Sequence, residues 1–442
     1  MFRLRAVLAA LLLGAPFTAS AAEVTRLASS FDEDDPFDLF IDVGFSRTQN
    51  RSKIVREQLA PGGGGRSDAT ELWFRGSDSR LNIDLSIGLY KDLQFSFSLP
   101  LVLQQNDNYA FVAGTTEENS TIINNCINPD GTLTNPACPS TGAGERALFT
   151  VGSNGITSRR GGLGNMRFGL AYAFFNQRTD PSKPDWLIGL DYEAPTAAQR
   201  DPSIDNTLDD ERGNVGDRVH KYTFYTALSR RIGVAEPYFK AHYTLPVAGP
   251  GIYSNCFNRT VNTNGTFSSP TLGRPENCFA ANTPWGRKET GIQAPHMAGF
   301  LFGSEFLAFN DKTKGQQFAL DVRAIGNYVG RGRYYNELSA AMRKLLATQD
   351  YFQAGGQLGV TASAGSAFRL RASGTFLYNT DHTLTDEVIG KDSDDAGEEI
   401  DVTGNPAELN PNFDFRTDLV SRRFRATESK TFRLDVMASF MF

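Results

Sequence analysis

Apolar side chains alternate with polar or small ones in about a dozen segments of this 442-residue chain. In residues 80–90, for example, Leu81, Ile83 and Leu85 are each separated by a polar residue. A period of two places the apolar side chains on one face of a β-strand and the others on the opposite face. The pattern predicts twelve strands, at residues 37–47, 80–90, 93–104, 163–175, 185–194, 218–229, 234–246, 296–308, 317–330, 350–362, 367–379 and 430–442.

The connections between these strands alternate between short and long. The short ones are residues 91–92, 176–184, 230–233, 309–316 and 363–366, and the long ones are 48–79, 105–162, 195–217, 247–295, 331–349 and 380–429. A barrel of the bacterial outer membrane has this rhythm, because its periplasmic turns are short, its external loops are long and its strand number is even. A soluble β-sandwich needs no such rhythm, and its strands usually have about five or six residues.

We therefore predict an all-β fold, a transmembrane antiparallel up-and-down β-barrel of about 12 strands that occupies residues 37–442. The predicted number of strands has a margin of two, because apolar and polar residues also alternate at 69–75, where a strand would pair beyond the membrane.

The N-terminus has the three parts of a secretory signal peptide in order. Arg3 and Arg5 precede an apolar run from Ala6 to Leu13, and small residues end the segment at Ala21. We predict a signal peptide over residues 1–21, with cleavage after Ala21 or one residue later, in preference to a buried N-terminal helix. Residues 22–36 are then a short periplasmic segment ahead of the barrel.

Composition excludes several function classes. The apolar run at the N-terminus is too short to span a membrane, so a multi-helix transporter is excluded. The 44 basic and 50 acidic residues form no dense Lys/Arg cluster, so we expect no nucleic-acid partner. The chain has no phosphate-binding loop, dinucleotide motif or metal cluster, so we expect neither a cofactor nor a metal.

The four cysteines lie in two polar, turn-rich segments, one pair in each. We predict the disulfides Cys126–Cys138 and Cys256–Cys278, as suits an exported protein. A zinc site is the alternative, but neither pair has the spacing or the nearby histidine that zinc sites usually show.

The chain ends in an aromatic residue, with apolar residues at alternate positions before it. These are Phe432, Leu434, Val436, Phe440 and Phe442. This pattern at the C-terminus resembles that of the β-barrel proteins of the Gram-negative outer membrane. The resemblance implies a multi-pass barrel in contact with outer-membrane lipid and lipopolysaccharide. The resemblance implies that periplasmic chaperones escort the chain and that the barrel assembly machinery reads its last strand. The fatty-acid transporters of this class carry a long N-terminal plug, whereas residues 22–36 are too few for a dedicated hatch.

If the apolar set faces lipid, its complement faces a lumen, and that complement is strongly charged. We predict that the following residues line the lumen and set selectivity: Asp38, Asp42, Asp84, Arg167, Asp191, Glu193, Lys221, Lys240, Glu305, Asp321, Arg323, Arg369, Arg371, Arg433 and Asp435. Buried ionised groups must be paired or hydrated, so the lumen is either wet or filled with salt bridges. Across the seam between first and last strand, we expect Arg433 and Asp435 to meet Asp38 or Asp42.

We therefore expect an outer-membrane channel or transporter that passes small polar or amphipathic solutes. The alternatives are a surface recognition or adhesion protein, a structural barrel with a closed lumen, and an outer-membrane lipid hydrolase. His242 and Thr244 stand two apart as the catalytic pair of such lipases does, but Thr is a rare nucleophile without an N-terminal amine. We therefore expect that the protein is not an enzyme.

Overall fold

The computed structural model describes residues 22–28, 38–59, 66–125, 147–151, 155, 157–177, 179–203, 212–261, 263, 267–269, 272–311, 313–365, 367–393, 400 and 403–442. The predicted signal peptide and the predicted disulfide Cys126–Cys138 lie outside this part of the chain. Among the described residues no helix is long and apolar enough to cross a membrane.

Twelve antiparallel strands form a closed barrel, which confirms the predicted fold class. They are β1 (Leu39–Leu59), β2 (Arg66–Tyr90), β3 (Leu93–Phe111), β4 (Arg167–Phe175), β5 (Asp185–Glu193), β6 (Val219–Ser229), β7 (Ala235–Ala248), β8 (Met297–Asp311), β9 (Gln316–Val329), β10 (Tyr351–Ala364), β11 (Phe368–Asn379) and β12 (Phe424–Met441). Each strand pairs with its neighbours in sequence, and β1 also pairs with β12. At this seam the backbone N–H groups of Leu39 and Phe442 each donate to the other residue's carbonyl, at 3.0 and 2.9 Å.

The remaining elements are short. Residues Thr157–Leu163 add a strand to β3 and residues His382–Thr383 add one to β12, outside the ring. The loops contain the strand pairs Thr260–Val261 with Phe267–Ser268 and Gly332–Tyr334 with Leu346–Thr348, the helices α1 (Arg287–Thr290) and α2 (Ser339–Met342), and the 3₁₀ turns Asn255–Asn258, Pro275–Asn277 and Pro406–Glu408. A further 3₁₀ turn, Glu23–Thr25, precedes the barrel.

The apolar side chains of the alternating pattern cover the outside of the barrel. Ile83 is 43% exposed, Leu170 49%, Phe302 60% and Leu358 67%. Large apolar side chains this exposed on every strand need a lipid surround, because in water they would form a continuous hydrophobic surface. The other face of each strand lines the lumen.

The first hairpin is longer than the sequence predicted. Residues 48–79 were expected to form a long loop, but β1 continues to Leu59 and β2 begins at Arg66. Beyond the membrane both faces of a strand meet water or protein, so the alternation of apolar and polar residues fades while the backbone pairing continues. Residues 69–75 thus belong to β2, and the strand number stays at twelve.

The external ends of β1, β2, β3 and β12 and the loops beside them pack around a shared hydrophobic core, which we call the outer cap. Its core residues are Ile54, Leu72, Phe74, Tyr109, Ile122, Ile123, Phe149, Val151, Leu338, Ala341, Met342, Leu346, Leu384, Phe424 and Ala426. The loops that carry these residues therefore pack together at this end of the barrel. In a separate cluster, the predicted disulfide Cys256–Cys278 is present and packs with Leu272.

Two buried carboxylates of the loop before β12 have opposite pKa shifts. Burial, with Glu387 and Asp414 nearby, raises the pKa of Asp418 to about 7. Burial acts on Asp414 as well, but Lys344 and Arg416 outweigh it and lower the pKa of Asp414 to about 2. The Lys344 Nζ lies 3.3 Å from Asp414 Oδ2, and the Arg416 Nη2 lies 2.7 Å from it.

We expect this loop to open more readily as the pH rises. The folded pKa of Asp418 lies above the unfolded value of 3.8, so its stabilising contribution is complete below about pH 4. That contribution is lost as the pH rises through about 7. The limit for one titrating group is an opening constant that grows about tenfold per pH unit. The amides of Glu387 and Asp414 donate to Asp418 at 3.1 and 2.9 Å. Their hydrogen-exchange rates, corrected for intrinsic base catalysis, measure the opening constant.

Two variants check this assignment. Asp418→Asn should remove the pH dependence between pH 5 and 7, while Asp414→Asn should open the loop at every pH above about 4, because it leaves Lys344 without its buried partner. An unchanged pH profile in Asp418→Asn would show that another group titrates.

Candidate functional site

The structure places the charged residues predicted for the lumen on the inner face of the barrel. Asp38 lies just before β1, and the others lie on ten of the twelve strands, at positions that alternate with the lipid-facing residues. Their part in selectivity stays a prediction. The structure also brings a second set of groups into the lumen, from the chain ahead of the barrel.

Residues 22–28, which we call the lumen segment, cross the barrel near its short turns. The backbone nitrogen of Ala22 donates to Glu236 Oε1 at 2.5 Å, and the nitrogen of Glu23 donates to Glu305 Oε1 at 2.8 Å. The Thr25 hydroxyl lies 2.7 Å from that of Ser229. This half of the segment is therefore bound to β6, β7 and β8.

The other half of the lumen segment reaches the opposite wall. Arg26 Nη2 lies 3.3 Å from Asp42 Oδ2 on β1, and the nitrogen of Ala28 donates to Gln94 Oε1 on β3 at 2.7 Å. The Leu27 side chain packs on a small apolar patch of the lumen wall, which is formed by Ala171, Ala173, Leu187 and Ala227. The segment is thus anchored on both sides of the barrel.

This corrects the expectation for residues 22–28, the described part of the predicted segment 22–36. Residues 22–28 lie inside the lumen, where the sequence predicted a periplasmic segment too short to act as a hatch. Seven residues suffice because the 3₁₀ turn Glu23–Thr25 covers about 2 Å per residue and the other four residues about 3.3 Å each, or about 19 Å in all. Residues 29–36 lie outside the described part of the chain.

Two guanidinium groups and two carboxylates meet where the lumen segment passes β9 and β11. Arg323 Nη2 lies 3.0 Å from Glu23 Oε2, and Arg371 pairs with the same oxygen. Arg371 Nη2 lies 2.7 Å from Asp321 Oδ2, and Arg323 also pairs with that carboxylate. Glu305 brings a third carboxylate, so that oxygens of all three acidic side chains lie within 4.8 Å of one another. The two arginines supply the positive charge here, so we assign this cluster to ion pairing.

Two cavities adjoin this cluster. The larger has a volume of about 650 Å³, and its wall carries Glu23, Asp84, Arg323, Arg371, Arg433 and Asp435. The smaller, of about 40 Å³, lies toward the short turns, beside Arg26, Arg231 and Arg369. Glu23 and Arg371 line both cavities, so their ion pair stands between the two.

Other predicted lumen charges pair locally on the wall. Glu193 lies 3.0 Å from Arg167 and 2.9 Å from Lys221. Lys240 lies over the ring of Tyr225, 4.2 Å from its centroid. Asp191 lies on the inner face of β5.

The predicted contacts across the seam are wrong. Asp42 is opposite Ser439, whereas Asp435 is opposite Ser46 and Arg433 is opposite Thr48. Arg433 pairs with Asp435 on its own strand at 2.8 Å. The stagger of strands in a closed barrel sets this register, and a count of charges along each strand does not contain it.

The histidines do not show a hydrolytic triad in the described residues. His220 and His296 share hydrogen bonds with the hydroxyls of Tyr192 and Tyr243, both at 2.7 Å. His242 is on the lumen face of β7, and Thr244, two residues on, bonds to the hydroxyl of Thr223 at 2.9 Å.

The residues of the predicted assembly signal lie on the lipid face of β12 and at the seam. Phe432, Leu434, Val436 and Phe440 are exposed on the outside, and Phe442 closes the ring against Leu39. Recognition of this strand by the assembly machinery stays a prediction.

Sequence reasoning missed the lumen segment and the wall that receives it. Glu23 and Arg26 are two opposite charges within five residues of the predicted cleavage site, which was a first available signal. The small residues Gly169, Ala171 and Ala173 on the inner face of β4 were a second sign, because they leave room inside the barrel.

Comparisons with known proteins find similar solved structures. No family model matches the chain, and no curated protein matches it. An outer-membrane channel from Pseudomonas putida F1 matches with a TM-score of 0.41 and 9% identity, over 97% of this chain and 100% of that one. A FadL homologue from Pseudomonas aeruginosa matches with a TM-score of 0.36 and 9% identity, over 95% and 92%. The outer-membrane protease OmpT from Escherichia coli matches with a TM-score of 0.27 and 7% identity, over 92% and 97%.

The closed ring, the lipid-facing apolar band and the alternation of short turns with long loops together identify the architecture. The chain is a twelve-stranded antiparallel transmembrane β-barrel, the architecture of outer-membrane β-barrel proteins.

Proposed function

We propose that this protein is an outer-membrane channel that passes small polar or amphipathic solutes through its charged lumen. The cavity of about 650 Å³ beside the lumen segment carries this proposal. A barrel that served only as an anchor would gain stability by filling such a space with side chains. The cavity is also in the size range of small-molecule sites.

The cavity wall supports the passage of polar solutes. It combines ionised groups of both signs, such as Asp84 and Arg433, with the neutral amides of Asn50, Asn82 and Gln357. These groups can replace the hydrogen bonds that a polar solute makes to water. Glu23 and Arg371 lie where the larger cavity meets the smaller one, on the side of the short turns. The lumen segment, which carries Glu23, therefore controls the passage toward the periplasm.

Single-channel recording in planar bilayers tests the proposal, and Gly44 offers a sharp variant. A Cβ atom added at Gly44 would meet two side-chain atoms of Met437 and the backbone oxygen of Val436 at ordinary contact distances of 3.7–3.8 Å, so a larger side chain can extend into the cavity. We expect discrete current steps from the wild type and clearly smaller steps from Gly44→Trp. Val43→Trp, one residue away on the lipid face, is the matched control and should conduct like the wild type. Wild-type protein that folds in the bilayer and passes no current would refute the channel.

A further inference from the structure

We propose that Arg323 and Arg371 form a carboxylate-binding site in the solute pathway, and that Glu23 occupies this site when no solute is bound. The inference rests on the proposed channel function and names its solute class: small molecules that carry a single carboxylate.

The first argument is the charge balance of the cluster. Arg323 and Arg371 carry two positive charges, and the wall carboxylate of Asp321 pairs with both. The other wall carboxylate of the cluster, Glu305, lines the smaller cavity together with a third arginine, Arg369. These five wall groups have one more positive than negative charge, and Glu23, on a separate piece of chain, supplies the balancing negative charge.

The second argument is burial. The side chains of Arg323 and Arg371 are only 8% and 7% exposed, and that of Asp321 is 3% exposed, whereas that of Glu23 is 34% exposed. A buried guanidinium group without a counter-charge is strongly unfavourable. Glu23 therefore leaves the pair readily only when another anion takes its place, and a carboxylate matches both its charge and its shape.

The third argument is the chemistry of the donors. A guanidinium group presents planar N–H donors that fit the two oxygens of a carboxylate, and such charge-assisted bonds are among the strongest in proteins. Arg323 and Arg371 already bind two carboxylates through such charge-assisted contacts, which converge on one oxygen of each carboxylate, Oε2 of Glu23 and Oδ2 of Asp321. Asp321 also accepts a hydrogen bond from Tyr238, which fixes the wall carboxylate in place.

The fourth argument is access. Arg323, Arg371 and Glu23 all line the larger cavity, so a solute there reaches the pair directly. The wall beside the pair has the amides of Gln353 and Gln357 and the aliphatic side chains of Ile325 and Leu377. Such a wall suits a small molecule with a charged end and an amphipathic remainder. Replacement of Glu23 would also open the contact that stands between the two cavities.

Flux through proteoliposomes tests the inference with two probes of matched size, radiolabelled N-acetylglycinate and N-acetylglycinamide, with protein-free liposomes as the background. In the wild type we expect carboxylate flux to saturate and to be inhibited by gluconate, a second monocarboxylate. Amide flux should rise in proportion to concentration. In Glu23→Gln, which removes the resident negative charge and keeps the shape, the half-saturating carboxylate concentration should fall about tenfold or more.

Asp78→Asn is the matched control. It removes one negative charge from β2, at a residue outside the lining of the larger cavity, and should lower the half-saturating concentration less than twofold. An equal fall in Asp78→Asn and Glu23→Gln would mean a general effect of charge in the barrel and would overturn the site.

The remaining outcomes separate this inference from the channel. If carboxylate and amide both pass without saturation, the carboxylate site is refuted and the channel stands. If neither probe passes above the background, the proposed function itself fails. If Glu23→Gln does not fold, saturation and gluconate inhibition in the wild type decide the question alone.

Discussion

Removal of the lumen segment is expected to raise the single-channel conductance severalfold. A variant that lacks Glu23 to Ala28 and keeps Ala22 loses the ion pairs with Arg323, Arg371 and Asp42 and the contact with Gln94. The chain that crosses the lumen is then gone, and the two cavities are no longer separated by Glu23. Planar bilayer recording of the two proteins at equal salt concentration measures the change.

Two length-preserving variants make this result specific. Combined replacement of Glu23, Arg26 and Leu27 by alanine removes anchors on three parts of the wall and should shift the conductance in the same direction. Leu27→Met keeps the volume on the apolar patch, so it should conduct like the wild type. A folded deletion variant with wild-type conductance would show that the segment does not restrict the passage.

An arginine on the lipid face should prevent the barrel from forming, whereas an arginine at the adjacent lumen position should be tolerated. Ile83 and Asn82 are neighbours on β2 at the same depth, with Ile83 exposed to lipid and Asn82 on the wall of the larger cavity. An arginine near the middle of the lipid face of such a barrel costs about 2–4 kcal/mol. At Asn82 the new charge lies in the lumen, two residues from Asp84.

Refolding in detergent followed by cold SDS electrophoresis compares Ile83→Arg with Asn82→Arg. The fraction that shows a heat-shifted band should fall strongly for Ile83→Arg and stay near the wild-type level for Asn82→Arg. Equal loss in both variants would mean that position 83 does not face lipid more than position 82.

Lipid is the reason that so much of this fold could be predicted. It imposes an apolar side chain at every second residue wherever a strand crosses the membrane, as in the series from Leu81 to Leu89, of which Ile83 and Leu89 are the most exposed on the barrel surface. Where lipid ends, the constraint ends too. The external half of the first hairpin therefore looked like a loop, although its backbone pairing continues to Leu59 and Arg66.

The arrangement of the lumen was harder to predict, because its contacts depend on register and on a segment without periodicity. The alternation indicates that Asp42 faces inward, but its partner is Arg26, which lies ahead of the first strand. The partner predicted from the closing strand, Asp435, pairs with Arg433. Strand stagger and single polar contacts of this kind leave no repeating trace in the sequence.

The shared core of the outer cap has a consequence for any molecule that meets this protein from outside the cell. Ile122 and Phe149 of one loop, Leu338 of another and Leu384 of a third lie in the same cluster. An antibody or a phage therefore meets one folded surface, and an epitope on one loop depends on the others for its shape. Trimming one loop disturbs its neighbours, whereas foreign peptides for display are best inserted at an exposed turn such as Glu117 and Glu118, away from that core.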